Sequence, residues 1–244
     1  MRWTLQLALL RLSRRLVFET PSVKSFYNMD KFRTEVSCYG PLYVEESFSF
    51  VTPLMAREID LGYVGVLSRE KGIIELLESL PIIMDNRRIN VILIGDGYLK
   101  PYVQRYLAEH RLQDSVKLVS QVGHKNMPEW LNNIKLLVAP SLSEGLHGVL
   151  IEAMACGTPV LTTKVGGITD VIKDGSTGFL LDSVEPKHIA QQILRLLDHT
   201  DLLVETSIQA QKVRTIFSLP AVRKSWQRIL EDILEDQTGR KLQC

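Results

Sequence analysis

The segment IKLLVAPSLSEGLHGVLIEAMACGTPVLTT, residues 134–163, carries the pattern that decides the fold. It begins with an almost continuously apolar run, residues 134–140, passes through a polar loop that contains glycine, and continues with apolar residues at helical spacing from about Gly148. It ends in a second apolar run at 158–163. Strands that are apolar on both faces are typical of parallel sheets covered by helices on both sides. The segment therefore predicts a strand, a loop, a helix and a second parallel strand.

The same alternation extends to both sides of this segment. Further strands are predicted at 61–67, 90–95, 115–120 and 178–182, with intervening stretches whose apolar residues recur every three or four positions. Strict alternation of strand and helix predicts an α/β fold with a doubly wound, Rossmann-like parallel sheet. From about His188 the pattern becomes wholly helical, which predicts extra C-terminal helices. Such sheets bind ligands at the carboxyl ends of their strands.

The composition describes an ordinary globular protein. The chain has 244 residues, 45% of them hydrophobic and 23% charged, with a formal charge of +1. This length suits one large domain or a domain and a half, and the balanced charge argues against a nucleic-acid partner. Cys38, Cys156 and Cys244 lie far apart and are odd in number, which argues against a disulfide framework or a zinc site. Reduced thiols in a cytoplasmic protein are expected.

The N-terminus is basic and has an apolar face at helical spacing. The apolar run is short and interrupted, and no small-residue cleavage site follows, so neither secretion nor a membrane span is predicted. Two interpretations stay open: a basic amphipathic helix that lies on the cytoplasmic face of a membrane as a peripheral contact, or a helix that packs on its own protein. The face is formed by Leu5, Leu9, Leu12 and Leu16, and the basic residues are Arg2, Arg11, Arg14 and Arg15.

Between this segment and the first strand of the sheet, the chain has the features of a connection. A strand is predicted at LVFET (16–20), a turn at TPS (20–22), and an interdomain linker in the proline- and aromatic-bearing tract at 38–53. We therefore divide the chain into a linker region (1–55), an α/β domain (56–218) and a C-terminal helix (219–244).

Two glutamates flank the start of the helix in the opening segment. Glu144 lies in the loop and Glu152 lies inside the helix, eight positions further on. The first turn of a helix presents unpaired N–H groups and partial positive charge, and Gly145 and Gly148 would let a phosphate approach this backbone closely. Carboxylates repel phosphate but accept hydrogen bonds from hydroxyls, and hydroxyls on both sides of a phosphate describe a nucleotide sugar. The alternative is that Glu144 is a solvated loop acid and Glu152 a first-turn acid favoured by the helix dipole.

Beyond these two residues, the sequence resembles the retaining glycosyltransferases of family 4. The strongest part is PSLSEGLHGVLIEAMACGTPVLTTKVGGITDVIKDGSTGFLL (140–181), preceded in the family's order by VGVLSREKGIIELLESL (64–80), VILIGDGYLKPYV (91–103) and VKLVSQVGHKNMPEWLNNIKLLVAPS (116–141). The resemblance covers about 61–200, and more weakly 16–60. It implies the C-terminal, donor-binding half of a GT-B fold, in which two Rossmann-like domains face each other. The implied reaction transfers a sugar from a nucleoside diphosphate sugar to an acceptor hydroxyl with retention.

The resemblance also assigns roles to residues by position. Glu144 matches the catalytic-centre glutamate that contacts the transferred sugar, and Glu152 matches the glutamate that accepts from the ribose hydroxyls. Lys71 matches the lysine that neutralises the diphosphate. No metal ion and no cofactor are implied, because the phosphate charge would be met by this lysine and the helix N-terminus. Further donor-binding positions are Gly65, then Gly145, Gly148 and Val149 beside the phosphate, and Gln121 and Gly123 near the base.

Two positions depart from the family's pattern. His147 stands where relatives often have glycine, proline or serine, so it is either a donor-site residue or a loop histidine without a role. Relatives usually read Gly-Arg-Leu where this chain has Gly65, Val66 and Leu67. The arginine that serves as a second diphosphate ligand is thus missing, and Arg69 is the candidate substitute. Weaker donor binding is expected.

The family's N-terminal domain, which carries the acceptor site, is larger than the part of this chain that precedes residue 56. We expect this chain to act as a donor-binding half, with an acceptor-domain partner or self-association through an apolar cleft face. The alternatives are a non-catalytic donor-binding subunit or a truncated, inactive glycosyltransferase. A sugar-nucleotide epimerase, which needs no acceptor, is a further alternative.

Overall fold

Six strands form one parallel sheet in the order β3-β2-β1-β4-β5-β6 in the computed structural model, which describes residues 20–26 and 42–238. All neighbouring strands run parallel; in the register, Leu61 pairs with Val91 on one side and with Leu136 on the other. The doubly wound sheet predicted from the sequence is confirmed. The strands are β1 (Ile59–Val64), β2 (Val91–Ile94), β3 (Val116–Val119), β4 (Ile134–Ala139), β5 (Val160–Thr163) and β6 (Phe179–Leu181).

Helices follow the strands, and the C-terminal part is wholly helical as expected. Short 3-10 turns at Leu54–Ala56, Arg69–Lys71, His124–Asn126 and Gly166–Asp170 join some of them. The helices of the described residues are α1 (Pro21–Phe26), α2 (Ile73–Asn86), α3 (Lys100–Glu109), α4 (Met127–Leu131), α5 (Gly148–Ala155), α6 (Pro186–Asp198), α7 (Thr200–Ala210), α8 (Val213–Ile216) and α9 (Leu219–Thr238).

The sheet separates two layers of hydrophobic core. Successive residues of a strand point to opposite faces, so Leu136 and Val138 of β4 join one cluster and Leu137 joins the other. The first cluster is covered by α2, α3 and α6, and the second by α4, α5 and α8. Burial on both faces explains why the strands read as almost continuously apolar in the sequence.

The strand order changes direction between β1 and β4. β1 is followed in the chain by β2 on one side, whereas β4 continues to β5 on the other. The loops that leave β1 and β4 therefore diverge to opposite faces and leave a crevice at their carboxyl ends. These loops span residues 65–72 and 140–147, and they contain Lys71 and Glu144.

The region before β1 shows one correction to the sequence analysis. The turn predicted at 20–22 is the start of α1, because Pro21 occupies the first helical position and the Thr20 hydroxyl accepts from Val23 N at 3.4 Å. Ser22 bonds to the Asp170 carboxylate through both its N–H and its hydroxyl, each at 2.8 Å, so α1 is held against the 3-10 turn after β5. Apart from Thr20, the strand predicted at 16–20 and the basic segment before it lie outside the described residues.

The described part of the predicted linker packs on the domain. Val44 and Phe48 are buried in the second core cluster, and Val44 N donates to Phe217 O at 2.8 Å. In the described parts of the chain, none of the helices combines the length and apolar character needed to cross a membrane.

A buried arginine connects the segment before β1 to the amino end of β4 through hydrogen bonds. Arg57 is 2% exposed, and its guanidinium donates to the carbonyl oxygens of Thr52, Leu131, Ile134 and Cys156 and to the Thr158 hydroxyl. Burial lowers the pKa of Arg57 to about 10, which keeps it protonated at neutral pH. The sequence analysis did not single out this residue.

Candidate functional site

The loop after β1 presents Lys71 at the crevice. Lys71 ends the 3-10 turn Arg69–Lys71, and Gly72 follows with a left-handed φ of 68°. A Cβ atom on Gly72 would lie 1.9 Å from Pro140 O, so the two loops of the crevice touch at this glycine. Leu142 N also donates to Glu70 O at 2.8 Å. The lysine loop is thus positioned directly against the loop that carries Glu144.

Glu144 accepts from two donors in this crevice. Its Oε1 lies 2.5 Å from Lys71 Nζ and 2.9 Å from Ser141 Oγ. Both charged side chains are largely buried. The structure therefore brings Glu144, the residue predicted to contact the sugar, and Lys71, the residue predicted to contact the diphosphate, together as an ion pair.

His147 completes this cluster from the N-cap position of α5. Its Nδ1 lies 3.2 Å from Glu144 Oε1, but this atom is buried and makes no hydrogen bond. Burial lowers the pKa of His147 to about 4, with the charge of Lys71 acting in the same direction and that of Glu144 opposing it. The imidazole is therefore neutral at pH 7, and the contact with Glu144 is not an ion pair.

The N-terminus of α5 lies beside this cluster. The N–H groups of Gly148 and Val149 are in its first turn, where no intrahelical acceptor exists. The loop after β5 holds the loop that leads into α5 in place, because Gly167 N donates to Gly145 O at 2.7 Å. Gly166 has a φ of 58°, and a Cβ atom on it would lie 2.2 Å from Glu144 O. The backbone around Glu144 is held from both sides.

Glu152 lies on the same helix and pairs with a histidine. His124 Nε2 donates to Glu152 Oε1 at 2.8 Å, and His124 Nδ1 lies 3.9 Å from Glu45 Oε1. Burial raises the pKa of Glu152, while the hydrogen bond that His124 donates to Glu152 raises the pKa of His124. The pair links α5 to the 3-10 turn that follows β3.

A cavity of about 310 Å³ opens at the carboxyl ends of β1, β2 and β3. It contains two of the predicted donor-binding residues, Gly65 and Gln121, whereas Gly123 lies outside its lining and is exposed. The Tyr63 hydroxyl donates to Val66 O at 2.8 Å at the base of this region. The cavity is lined by Val64, Gly65, Val66, Ile94, Gly95, Asp96, Gln121, Val122 and Met127.

An exposed valine, Val66, stands where relatives usually have an arginine. The Val66 side chain is 53% exposed on the cavity rim. Arg69 is exposed, and the structure places only its backbone in a contact there, with Arg69 N donating to the Tyr98 hydroxyl at 2.9 Å. That Arg69 serves as the second diphosphate ligand, in place of an arginine at position 66, stays a prediction.

Two larger cavities, of about 510 Å³ each, lie elsewhere. One lies between residues 43–46 and 214–220, and the other at the amino ends of β1 to β3. We assign the functional site to the smaller cavity and the adjacent crevice, because the charged cluster and the helix N-terminus lie there. Among the side chains that the structure describes, no group of three or more histidine, cysteine, aspartate or glutamate residues is arranged to hold a metal ion.

Ser141 and His124 are site residues that the sequence analysis missed. Ser141 precedes Glu144 by three positions in the same loop, a spacing that permits a hydrogen bond between neighbours in a turn. His124 directly follows the predicted base-contacting stretch at 121–123, but its partner Glu152 is distant in the sequence. Ser141 could have been found from the loop alone, whereas His124 required the tertiary contact between α5 and the 3-10 turn that follows β3.

Comparison with known proteins decides the family. The model of the family described as Glycosyl transferases group 1 matches residues 44–213, which is most of the chain. The chain belongs to this family. The matched region includes every residue described for the site above, from Glu45 to Gly167.

Two curated group 1 relatives illustrate the extent of the match. The capsular polysaccharide biosynthesis glycosyltransferase CapM of Staphylococcus aureus is 30% identical over 182 residues, which are 74% of this chain and 48% of CapM. The D-inositol 3-phosphate glycosyltransferase of Streptomyces scabiei is 35% identical over 153 residues, which are 62% of this chain and 33% of that protein. The chain thus spans between about a third and a half of the length of these relatives.

Solved structures show the same fold for this group 1 chain. Sucrose-phosphate synthase from Thermosynechococcus elongatus matches with a TM-score of 0.82 at 22% identity, covering 96% of this chain and 62% of that one. HepE from Anabaena, in complex with UDP and glucose, matches with a TM-score of 0.79 at 21% identity, covering 96% of this chain and 66% of that one. At these identities the likeness is one of fold.

Proposed function

We propose that this chain binds a nucleoside diphosphate sugar and supplies the donor half of a retaining glycosyltransferase. The observation that carries the proposal is the meeting of Lys71, Glu144 and the N-terminus of α5 in the crevice between β1 and β4. A helix N-terminus and a lysine together suit a diphosphate, and carboxylates beside them suit the hydroxyls on either side of it. Membership of the group 1 family agrees with this chemistry.

Each part of the donor has a proposed contact. The diphosphate lies at Lys71 and the N–H groups of Gly148 and Val149, and the ribose hydroxyls donate to Glu152. The base enters the cavity of about 310 Å³ beside Gln121. The transferred sugar lies near Glu144. The positions of Glu144 before α5 and of Glu152 one to two turns inside it support this proposed order.

The proposed reaction breaks the bond between the sugar's anomeric carbon and the diphosphate, forms a bond from that carbon to the oxygen of an acceptor hydroxyl with retention, and transfers the hydroxyl's proton to the departing diphosphate. Negative charge grows on the departing diphosphate in the transition state. Lys71 and the dipole of α5 are placed to stabilise this charge, which is the role that a metal ion has in other phosphate chemistry. We therefore propose that the reaction needs no metal ion.

We propose that residues outside the α/β domain form the acceptor side of the cleft. Exposed apolar side chains support a contact there: Val66, Tyr98 and Leu142 are all exposed on the loops at the carboxyl edge of the sheet. Another domain, a partner protein or a second copy of the chain would cover them. A chain that binds the donor without transferring it is the second candidate, because the residues of the site described above have proposed contacts to a donor and none to an acceptor.

Calorimetric titration of the wild-type chain with UDP, GDP and ADP sugars tests the donor site. We expect saturable binding of one of them, with loss in Lys71→Met and no loss in Lys187→Met, which removes an exposed lysine on α6. Absence of binding of all three at millimolar concentrations would contradict the proposal. Analysis of products formed from the bound donor alone would reveal an epimerase.

A further inference from the structure

The carboxylate proposed to bind ribose is already hydrogen-bonded to His124, a residue that the sequence analysis did not single out. Glu152 is only 17% exposed at its side chain, and its Oε1 lies 2.8 Å from His124 Nε2. Among the described residues, only this one of its two oxygens is hydrogen-bonded. A carboxylate has four acceptor positions, so Oε2 can accept from a hydroxyl while Oε1 stays paired.

His124 is itself held from the side opposite Glu152. Its ring contacts the buried Phe48 ring with centroids 5.0 Å apart, and its Nδ1 lies 3.9 Å from Glu45 Oε1. Phe48 and Glu45 belong to the segment before β1, whereas His124 follows β3. Contacts with the segment before β1 thus help to fix the direction from which the imidazole reaches Glu152.

The imidazole of His124 is chemically suited to orient the Glu152 carboxylate. A buried carboxylate without a donor would lose its charge or change its rotamer, and either change weakens its hydrogen bonds to hydroxyls. An imidazole N–H satisfies one oxygen and holds the carboxylate plane in one orientation.

We propose that His124 is a positioning residue for ribose recognition, which holds Glu152 so that its second oxygen faces the 2′- and 3′-hydroxyls of the nucleoside diphosphate. The inference rests on the proposed function and adds to it the residue that orients the ribose ligand. It makes His124 act through Glu152, without a contact to the reacting atoms.

The test compares ribonucleotides with their 2′,3′-dideoxy counterparts. UDP, GDP and ADP are titrated into the wild-type chain by calorimetry, and the tightest is compared with its dideoxy form. We expect His124→Ala to weaken the ribonucleotide about tenfold while leaving the dideoxy form unchanged, so that the preference for ribose collapses. His124→Gln, which keeps a donor, should retain part of the preference. His110→Ala, which removes an exposed histidine stacked on Tyr106, should retain all of it.

A double-mutant cycle separates positioning from general support of the fold. Glu152→Ala should abolish the ribose preference, and adding His124→Ala to it should cost nothing more. The inference is overturned if His124→Ala weakens the binding of both nucleotides equally or of neither. It is also overturned if His124→Ala tightens the binding of the ribonucleotide, because His124 would then compete with the ribose for Glu152. If no nucleotide binds the wild-type chain, the proposed function fails as well; if ribose preference is present but survives His124→Ala and His124→Gln, only the inference fails.

Discussion

Lys71 Nζ and Glu144 Oε1 lie 2.5 Å apart, although the two residues leave different strands and are separated by 73 positions. Since β1 and β4 are neighbours at the point where the strand order reverses, their loops meet and place the amine against the carboxylate. In the proposed complex this amine also faces the diphosphate. Glu144 would therefore orient Lys71 as well as contact the sugar.

Substituting the two glutamates should have different consequences. Glu152→Gln should weaken a nucleoside diphosphate and its sugar about tenfold alike, because both carry the ribose. Glu144→Gln should bind the nucleoside diphosphate as tightly as the wild-type chain or more tightly, because it releases Lys71 from the ion pair. The same substitution should reduce the additional affinity that the sugar provides. Calorimetry with UDP and UDP-glucose, or with the corresponding pair for the base that binds best, measures the split. Equal losses from both substitutions would contradict the assignment.

Restoring an arginine at position 66 should strengthen donor binding. The Val66 side chain is 53% exposed on the cavity rim, so a longer side chain costs little packing there. A new charge-assisted contact to the diphosphate is worth about 1.5–3 kcal/mol, which corresponds to at least a roughly tenfold tighter complex. Val51→Arg, at a residue that is 71% exposed outside the site, controls for added charge. Unchanged affinity in Val66→Arg would show that the diphosphate lies elsewhere.

Gly72→Ala should unfold or displace the lysine loop. The added Cβ would lie 1.9 Å from Pro140 O in a residue with a left-handed φ of 68°. Gly175→Ala is the matched control, because Gly175 has a φ of 70° but open space around it. We expect the control to cost about 1 kcal/mol from backbone strain and Gly72→Ala to cost several times more. Urea denaturation of both variants checks this, and similar losses would argue against the close contact between the two loops.

His147 should make stability depend on pH below neutrality. Its pKa falls from an ordinary 6.5 to about 4 in the folded chain, so between these values the unfolded chain binds the extra proton. The stabilisation is therefore complete above pH 6.5 and is lost as the pH falls towards 4. With a side chain only 12% exposed, the loss is of the order of 3 kcal/mol.

Urea denaturation at pH 7 and at pH 4.5 measures this dependence. His147→Asn should reduce the difference in unfolding free energy between the two pH values, whereas His110→Asn should leave it unchanged because that histidine is exposed. A full pH dependence in His147→Asn would assign the acid sensitivity to other groups.

Arg57→Met should destabilise the domain by several kcal/mol. The substitution leaves up to three carbonyl oxygens, those of Thr52, Ile134 and Cys156, without this donor, at about 1–3 kcal/mol for each that stays unpaired. The Leu131 oxygen keeps the Thr158 hydroxyl as a donor. Arg87→Met removes a guanidinium that is paired with Asp198 at the surface, and it should cost less than about 1 kcal/mol. Thermal unfolding compares the two. Equal stability of both variants would show that the carbonyls find other partners.

Much of the site was predictable from local sequence, and the exceptions have specific causes. The start of α5 at Gly148 and the loop position of Glu144 follow from the switch between apolar runs and helical spacing. The start of α1 at Pro21 was mistaken for a turn, because a short helix has too few residues to show periodicity. The pairing of His124 with Glu152 left no sequence signal, since it joins parts of the chain 28 positions apart.

The sequence by itself determined the six strands, the helices between them and the residue types available for phosphate and hydroxyl recognition, because hydrophobic periodicity and turn chemistry act over a few neighbouring residues. Only the tertiary structure decided which of those residues meet. The strand order placed Lys71 against Glu144 and His124 against Glu152, and burial made His147 neutral beside them. Contacts and desolvation depend on packing between distant segments, and no local pattern records them.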